Sequence, residues 1–157
     1  MILPETFKGI VKPNTAEAKL LAAIELERRP RHIAVIMDGN GRWAKRQGRP
    51  RIFGHRAGAD SVRAIVDTCR RLEIEAVTLY AFSTENWKRP PAEVRGLMSM
   101  LKRYIRKDLK EVHANNIRFQ AIGDVTQLPD DVQNEIERAR STTESNTGMT
   151  MSVALNY

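Results

Sequence analysis

Two nearly continuous apolar runs, residues 32–37 (HIAVIM) and Ala76–Phe82 (AVTLYAF), constrain the fold more than any other feature of the chain. Each is too short for an independent helix and shows no polar face, so each is expected as a buried strand. Elsewhere the apolar spacing turns helical. From Arg56 onward, Val62, Ile65, Val66, Cys69 and Leu72 share one helix face. Farther on, Val94, Leu97, Met98, Leu101, Tyr104, Ile105, Leu109 and Val112 keep the three-four spacing, with Lys102, Arg103, Arg106 and Lys107 mostly off that stripe. Residues 117–122 and 149–155 are expected as a third and fourth strand. Residues 130–142 are expected as a short helix, whose Pro129-Asp130-Asp131 start suits a first turn. Strands alternating with helices at these lengths imply βαβ units with right-handed crossovers: an α/β fold with a mostly parallel central sheet flanked by helices.

The stretch through Pro13 carries Pro4 and Pro13 with no sustained period and reads as an arm. Asn14 followed by Glu17 resembles a capping box, and Leu20, Leu21 and Ile24 then follow helical spacing up to Pro30. Residues 1–30 are thus expected as an arm and helix, with 31–157 as one domain, in keeping with 157 residues in all. The excess of 26 Lys and Arg over 19 Asp and Glu gives +7, which favours an anionic partner: nucleic acid, a phosphorylated metabolite or an acidic membrane surface. A single cysteine, Cys69, excludes an intrachain disulfide and a cysteine-rich zinc module. No apolar run nears the roughly 18 residues of a membrane span, and Met1 to Glu5 lack a signal-peptide layout. A cytoplasmic, soluble protein is expected.

In open parallel sheets ligands bind beyond the carboxyl ends of the strands. That rule selects Asp38 to Arg42, Ser83 to Arg89, Gly123-Asp124 and Asn156-Tyr157 before any motif is named. No acidic residue lies between Asp38 and Asp60, whereas Arg42, Lys45, Arg46, Arg49, Arg51 and Arg56 are cationic and Gly39, Gly41, Gly48, Gly54 and Gly58 intervene. Glycine N–H groups and arginine forks suit phosphate oxygens, although an ordinary basic run is a solvated loop. The run lacks the Gly-Lys-Ser/Thr of a P-loop and makes a poor dinucleotide fingerprint. Asp38 is either a turn cap or a hard-oxygen magnesium ligand. His55 either bonds a phosphate or caps the helix that follows, and Cys69 belongs to the core. The octet Ser83-Thr84-Glu85-Asn86-Trp87-Lys88-Arg89-Pro90 holds more functional groups than a connection requires.

Residues 32–44 (HIAVIMDGNGRWA) resemble the signature of the cis-prenyltransferases, the undecaprenyl diphosphate synthase-like isoprenyl transferases. The likeness continues through Arg51, Gly54-His55 and Gly58, then residues 78–87 (TLYAFSTENW), Glu93-Val94 and Leu97-Met98. It covers about residues 31–157. The resemblance implies condensation of isopentenyl diphosphate with an allylic diphosphate such as farnesyl diphosphate, giving a cis-polyprenyl diphosphate with Mg2+ as cofactor. It implies that Asp38 binds magnesium and aids diphosphate departure, and that Gly39, Asn40, Gly41, Arg42, Arg51 and His55 hold the allylic diphosphate. By the same likeness Trp43 lines the hydrocarbon path, and Ser83, Thr84 and Glu85 order the neighbouring substrate. Asn86 takes part in proton removal, and Trp87 and Arg89 complete the substrate set. An apolar channel around Met98, Leu101 and Ile105 is expected for the growing chain, on side chains that would equally serve as ordinary core.

The family also implies a homodimer and, because the product is a lipid, a peripheral membrane contact. Its members usually continue past the fourth strand with Gly-Gly-Arg and a late basic motif, absent here, so an incomplete domain lacking a C-terminal third, with impaired activity, is expected. Two rivals remain at this stage. A non-catalytic partner subunit would tend to lose Asp38 and the polar octet, both present. A small basic nucleic-acid-binding protein would explain the charge, but helix-turn-helix spacing, zinc ligands and an RNP-like strand are missing; no nucleic-acid partner is expected.

Overall fold

The computed structural model describes residues 5–157; Met1 to Pro4, the start of the expected arm and of the stretch read for a signal peptide, lie outside them. Four strands form one sheet in the order β1-β2-β4-β3, every pairing parallel: β1 (His32–Ile36), β2 (Ala76–Phe82), β3 (Arg118–Ile122) and β4 (Thr150–Leu155). The helices are α1 (Ala16–Ala22), α2 (Asn40–Arg46), α3 (Arg51–Arg71), α4 (Pro91–Ala114) and α5 (Asp130–Thr143). The expected α/β fold with its parallel sheet stands.

Alternation along the strands decides what is buried. Ile33 and Val35 of β1, Val77 and Leu79 of β2, Phe119 and Ala121 of β3, and Met151 and Val153 of β4 join one core with the apolar faces of α3, α4 and α5. The alternate positions lie on the opposite face, where His32 Nε2 and Thr78 Oγ1 are 2.8 Å apart and Gln120 donates to Ser152 Oγ at 2.7 Å. Ion pairs of Lys102 with Asp131 and of Arg106 with Glu135 clamp α4 to α5 beside the core.

Three expectations are corrected. β1 is an edge strand with His32, Ala34 and Ile36 exposed, Ile36 by 76%, so its apolar run does not mean burial on both faces. The basic, glycine-rich segment is mostly helical: α2 occupies its first half, and α3 starts at Arg51 rather than Arg56. Near the N-terminus, Asn14 is left-handed (φ 64°) and Thr15 is the cap of α1, its hydroxyl accepting from Ala18 N at 3.2 Å. An Asn tolerates that backbone region better than most residues, which releases the cap to the next position.

Candidate functional site

The carboxyl ends of β2, β3 and β4 are tied together by Asn156. Its backbone N–H donates to Phe82 O at 2.6 Å, and its side-chain Nδ2 donates to Asp124 O at 2.9 Å. Its Oδ1 accepts from Trp87 Nε1 at 2.8 Å, and Thr84 N–H donates to Tyr157 O at 3.0 Å. Asn156 holds a φ of 53°, and Gly123 beside it has no room for a side chain, since a Cβ there would lie 2.1 Å from Leu155 O. Three of the four places selected from the sequence therefore form one rigid rim.

The fourth place is set by β1 and the helix pair that follows. Asp38 leaves β1 exposed; its Oδ1 accepts from Gly39 N–H at 2.5 Å and its Oδ2 from Arg42 Nη2 at 2.6 Å. The Arg42 guanidinium, and after it the Gly39 N–H, hold the Asp38 carboxyl below the usual carboxylate range, so it is ionised near neutrality. Gly39 (φ 87°) makes the turn into α2 in a conformation that favours glycine. α2 then lies almost against the backbone of α3: a Cβ at Gly54 would fall 1.9 Å from Asn40 O, and one at Gly58 would meet the Asn40 amide at 2.7 Å.

Across the mouth stands a charged trio. Glu93, in the first turn of α4, takes Arg89 Nη1 at 3.1 Å and faces Arg51 Nε at 3.7 Å. Arg51 in turn lies against Gly41, where an added Cβ would come within 2.7 Å of its Nε. His55 sits one turn into α3, inside the helix rather than capping it. Its Nε2 is buried without a hydrogen-bond partner. Burial, followed by the charge of Arg89, pushes the imidazole below its ordinary pKa of 6.5 and keeps it neutral near pH 7.

Behind this mouth lies a cavity of about 280 Å³. Asn40, His55, Asn86 and Arg89, with Met37, line it near the ends of β1 and β2; Val62, Leu79, Met98, Leu101 and Ile105 are among its apolar lining, and Asp67, Arg70 and Glu111 also border it. Met98, Leu101 and Ile105, around which a channel is expected, thus border open space. Arg63 and Asp108, 3.1 Å apart, close a gap between α3 and α4 on its lining, with Arg63 also over the Tyr104 ring.

The other predicted site residues divide into two sets. Ser83 and Asn86 form a capping box on a 3-10 turn, the Asn86 amide oxygen accepting from Ser83 N–H at 3.3 Å, and Thr84 and Glu85 are exposed on that turn. Trp87 is fixed between Asn156 and the Phe82 ring, 5.1 Å centroid to centroid. Trp43 is not on the cavity: it stacks on Phe53 at the outer surface and is 44% exposed. Glu93 and Asn156 are the residues that the residue-by-residue reading gave no role. Glu93 stands four residues after Arg89, a spacing that pairs charges on a helix start and marks it in retrospect. Among the described residues no three His, Cys, Asp or Glu side chains gather as a metal cluster. Asp38 stands alone as a candidate ligand. Magnesium bound by one carboxylate takes its remaining ligands from water and substrate phosphates, and an exposed, ionised Asp38 beside arginines suits that arrangement.

A family profile described as "Putative undecaprenyl diphosphate synthase" matches residues 36–157. The chain belongs to the undecaprenyl diphosphate synthase family. Within that family, an isoprenyl transferase of Clostridium tetani is 48% identical over 134 residues, covering 85% of this chain and 52% of the relative. The ditrans,polycis-undecaprenyl-diphosphate synthase ((2E,6E)-farnesyl-diphosphate specific) of Vibrio cholerae is 51% identical over 128 residues, covering 82% of this chain and 51% of the relative. The chain thus spans about half the length of the curated relatives it matches. Among solved structures, lavandulyl diphosphate synthase from Lavandula x intermedia in complex with dimethylallyl diphosphate superposes with a TM-score of 0.79 at 35% identity. It covers 82% of this chain and 55% of that one. These undecaprenyl diphosphate synthase relatives are transferases of prenyl groups, and the sheet and helices described above are their shared α/β fold.

Proposed function

We propose that the whole protein condenses isopentenyl diphosphate with an allylic diphosphate, and that these 157 residues supply recognition of the allylic partner. The observation that carries this reading is the junction of polar groups and an apolar cavity: His55 and Arg89 line it together with Met37 and Asn40, which flank Asp38 and Gly39 in the chain, Arg51 meets Arg89 through Glu93, and Met98, Leu101 and Ile105 line its apolar length. A prenyl diphosphate has the same division. In the reaction the allylic C–O bond breaks and diphosphate leaves. A carbon-carbon bond forms to the terminal methylene of isopentenyl diphosphate, and a proton is lost to give the new double bond in the cis configuration.

Departure of diphosphate concentrates negative charge on its oxygens, so donors aimed there lower the barrier. Arg42, Arg51 and His55, with the N–H groups of Gly39, Asn40 and Gly41, are the residues assigned to that headgroup. Asp38 would hold Mg2+, which when bound adds a dication against the leaving oxygens. Ser83, Thr84 and Glu85 order the neighbouring substrate through their turn, Asn86 stands beside the proton to be lost, and Trp87 and Arg89 complete the pocket wall. The Vibrio relative's farnesyl specificity suggests farnesyl diphosphate as the first allylic substrate to try. The reading also includes the family's homodimer, a cytoplasmic location and peripheral contact with membrane lipid.

The test is a titration of the 157-residue chain with farnesyl diphosphate, with and without Mg2+. Mg2+ should tighten binding in the native chain and leave Asp38→Ala about tenfold or more weaker, the scale of a lost charge-assisted contact. Equal affinity of both chains in Mg2+ would remove Asp38 from the site and the reading with it.

A further inference from the structure

The outer faces of α2 and α3 carry a patch that does not line the cavity. Gly41 and Ala44 are buried against α3, and the 100° step between helical residues therefore turns Trp43 and Arg46 outward. Trp43 stacks on Phe53 with centroids 6.0 Å apart and planes 5° from parallel. The Arg49 guanidinium lies 4.0 Å from the Phe53 centroid. Arg49 lies over this pair, and helical spacing puts Arg46, three residues after Trp43, and Arg56, three residues after Phe53, on the same side; all three are exposed and, among the described residues, none is in an ion pair. The nearest carboxylates in sequence, Asp38 and Asp60, are already paired with Arg42 and Arg63.

We propose that this patch docks the protein on an anionic phospholipid surface. Trp43 enters the headgroup region with its ring, an environment that tolerates one apolar and one wet side. These three cations supply attraction to negative headgroups, each worth a few-fold in affinity near such a surface. Nucleic acid is the poorer occupant, because the patch is the convex back of a helix pair with one exposed tryptophan, without a groove or a row of aromatic rings on which bases stack. The cavity gives docking a use: Asn40, His55 and Gly58 line it from the inner faces of the same two helices. Docking therefore holds the helix pair that walls the cavity against the bilayer that would receive a polyprenyl product, a benefit that rests on the proposed reaction, whereas the patch itself does not.

Vesicle sedimentation of the 157-residue chain tests this. With phosphatidylcholine vesicles containing about 30% phosphatidylglycerol the chain should pellet, and with pure phosphatidylcholine it should not. Binding should vanish at about 1 M salt, where the screening length shrinks to about 3 Å. The double reversal Arg46→Glu/Arg49→Glu should weaken binding about tenfold or more, while Lys107→Glu/Lys110→Glu, an equal change of charge at exposed positions on α4, should retain it. Trp43→Phe should remove the vesicle-induced blue shift of tryptophan emission. Equal loss in the two reversals, or equal binding to neutral vesicles, overturns the proposal. Tighter binding to mixed-sequence duplex DNA that strips the chain from vesicles also overturns it, in favour of a nucleic-acid surface. A parallel farnesyl diphosphate titration separates the two readings. Vesicle binding without it leaves docking standing and removes the reaction; the reverse result removes docking alone.

Discussion

Burial and Arg89 act on His55 in the same direction, and both favour the neutral imidazole. With Nε2 unpartnered, a proton taken up there puts charge into a half-buried position that Arg51 and Arg89 already border. The folded-state pKa lies below the ordinary 6.5, so as pH falls the unfolded chain binds that proton first. Stability from the neutral ring is therefore complete above about pH 6.5 and is lost as pH drops through the folded value. Thermal melts of the native chain and His55→Gln across pH 7.5 to 5 (about the range in which an unperturbed histidine titrates) should show a shallower acid limb in the variant. Parallel limbs would assign the whole loss to carboxylates. At this scale the sequence exposed residues whose chemistry is unusual in place: Asp38 ending an apolar run, His55 among arginines, the dense octet after β2. Of Glu93's two partners, Arg89 is local, four residues earlier, but Arg51 comes from another helix, and only the fold brings the three together. Trp43 is legible only as an aromatic beside a motif; the turn of its helix, which stacks it on Phe53, is a property of the fold.

The contact between α2 and α3 depends on an absent side chain. A Cβ at Gly54 would sit 1.9 Å from Asn40 O, and a backbone oxygen cannot swing aside as a side chain does. Gly54→Ala must push α2 away from α3 and shift Asp38 and Arg42 with it, at an overpacking cost of about 1–3 kcal/mol or more. Gly96, in the second turn of α4, offers the contrast. Its added Cβ would meet only Ile52 Cδ1 at 3.5 Å, an ordinary contact, and the helix gains from alanine by about 0.5–1 kcal/mol. Thermal denaturation should place Gly54→Ala below the native chain and Gly96→Ala above it; the same order for both would contradict this account of the helix pair. Elements with a strong period were legible in outline. α4, α5 and β2 occupy nearly the expected spans because apolar spacing and proline starts act locally. The basic segment was not, because arginine and lysine favour helix as much as solvated loop, and its glycines are there for α2–α3 packing as well as for turns.

Parallel pairing followed from the alternation of elements, whereas the order β1-β2-β4-β3 is a long-range property that no local period encodes. That order has a functional consequence: it puts β2 and β4 in the middle, so that Leu79, Met151 and Val153 floor the cavity while the ends of β1 and β2 carry its charged mouth. A ligand that uses both parts must couple α2, α3, α4 and the sheet in one binding event. Farnesyl diphosphate with Mg2+ at about a hundred times its Kd should then add about 2.7 kcal/mol of stability, a rise in Tm of about 5–10 °C for a chain of this size. At the same concentration, inorganic diphosphate reaches the mouth alone and farnesol the apolar length alone, so each should raise Tm by much less. If inorganic diphosphate raised it as far as the farnesyl compound, the hydrocarbon would contribute nothing. The space beside Met98, Leu101 and Ile105 would then be a packing void rather than the path of a prenyl chain.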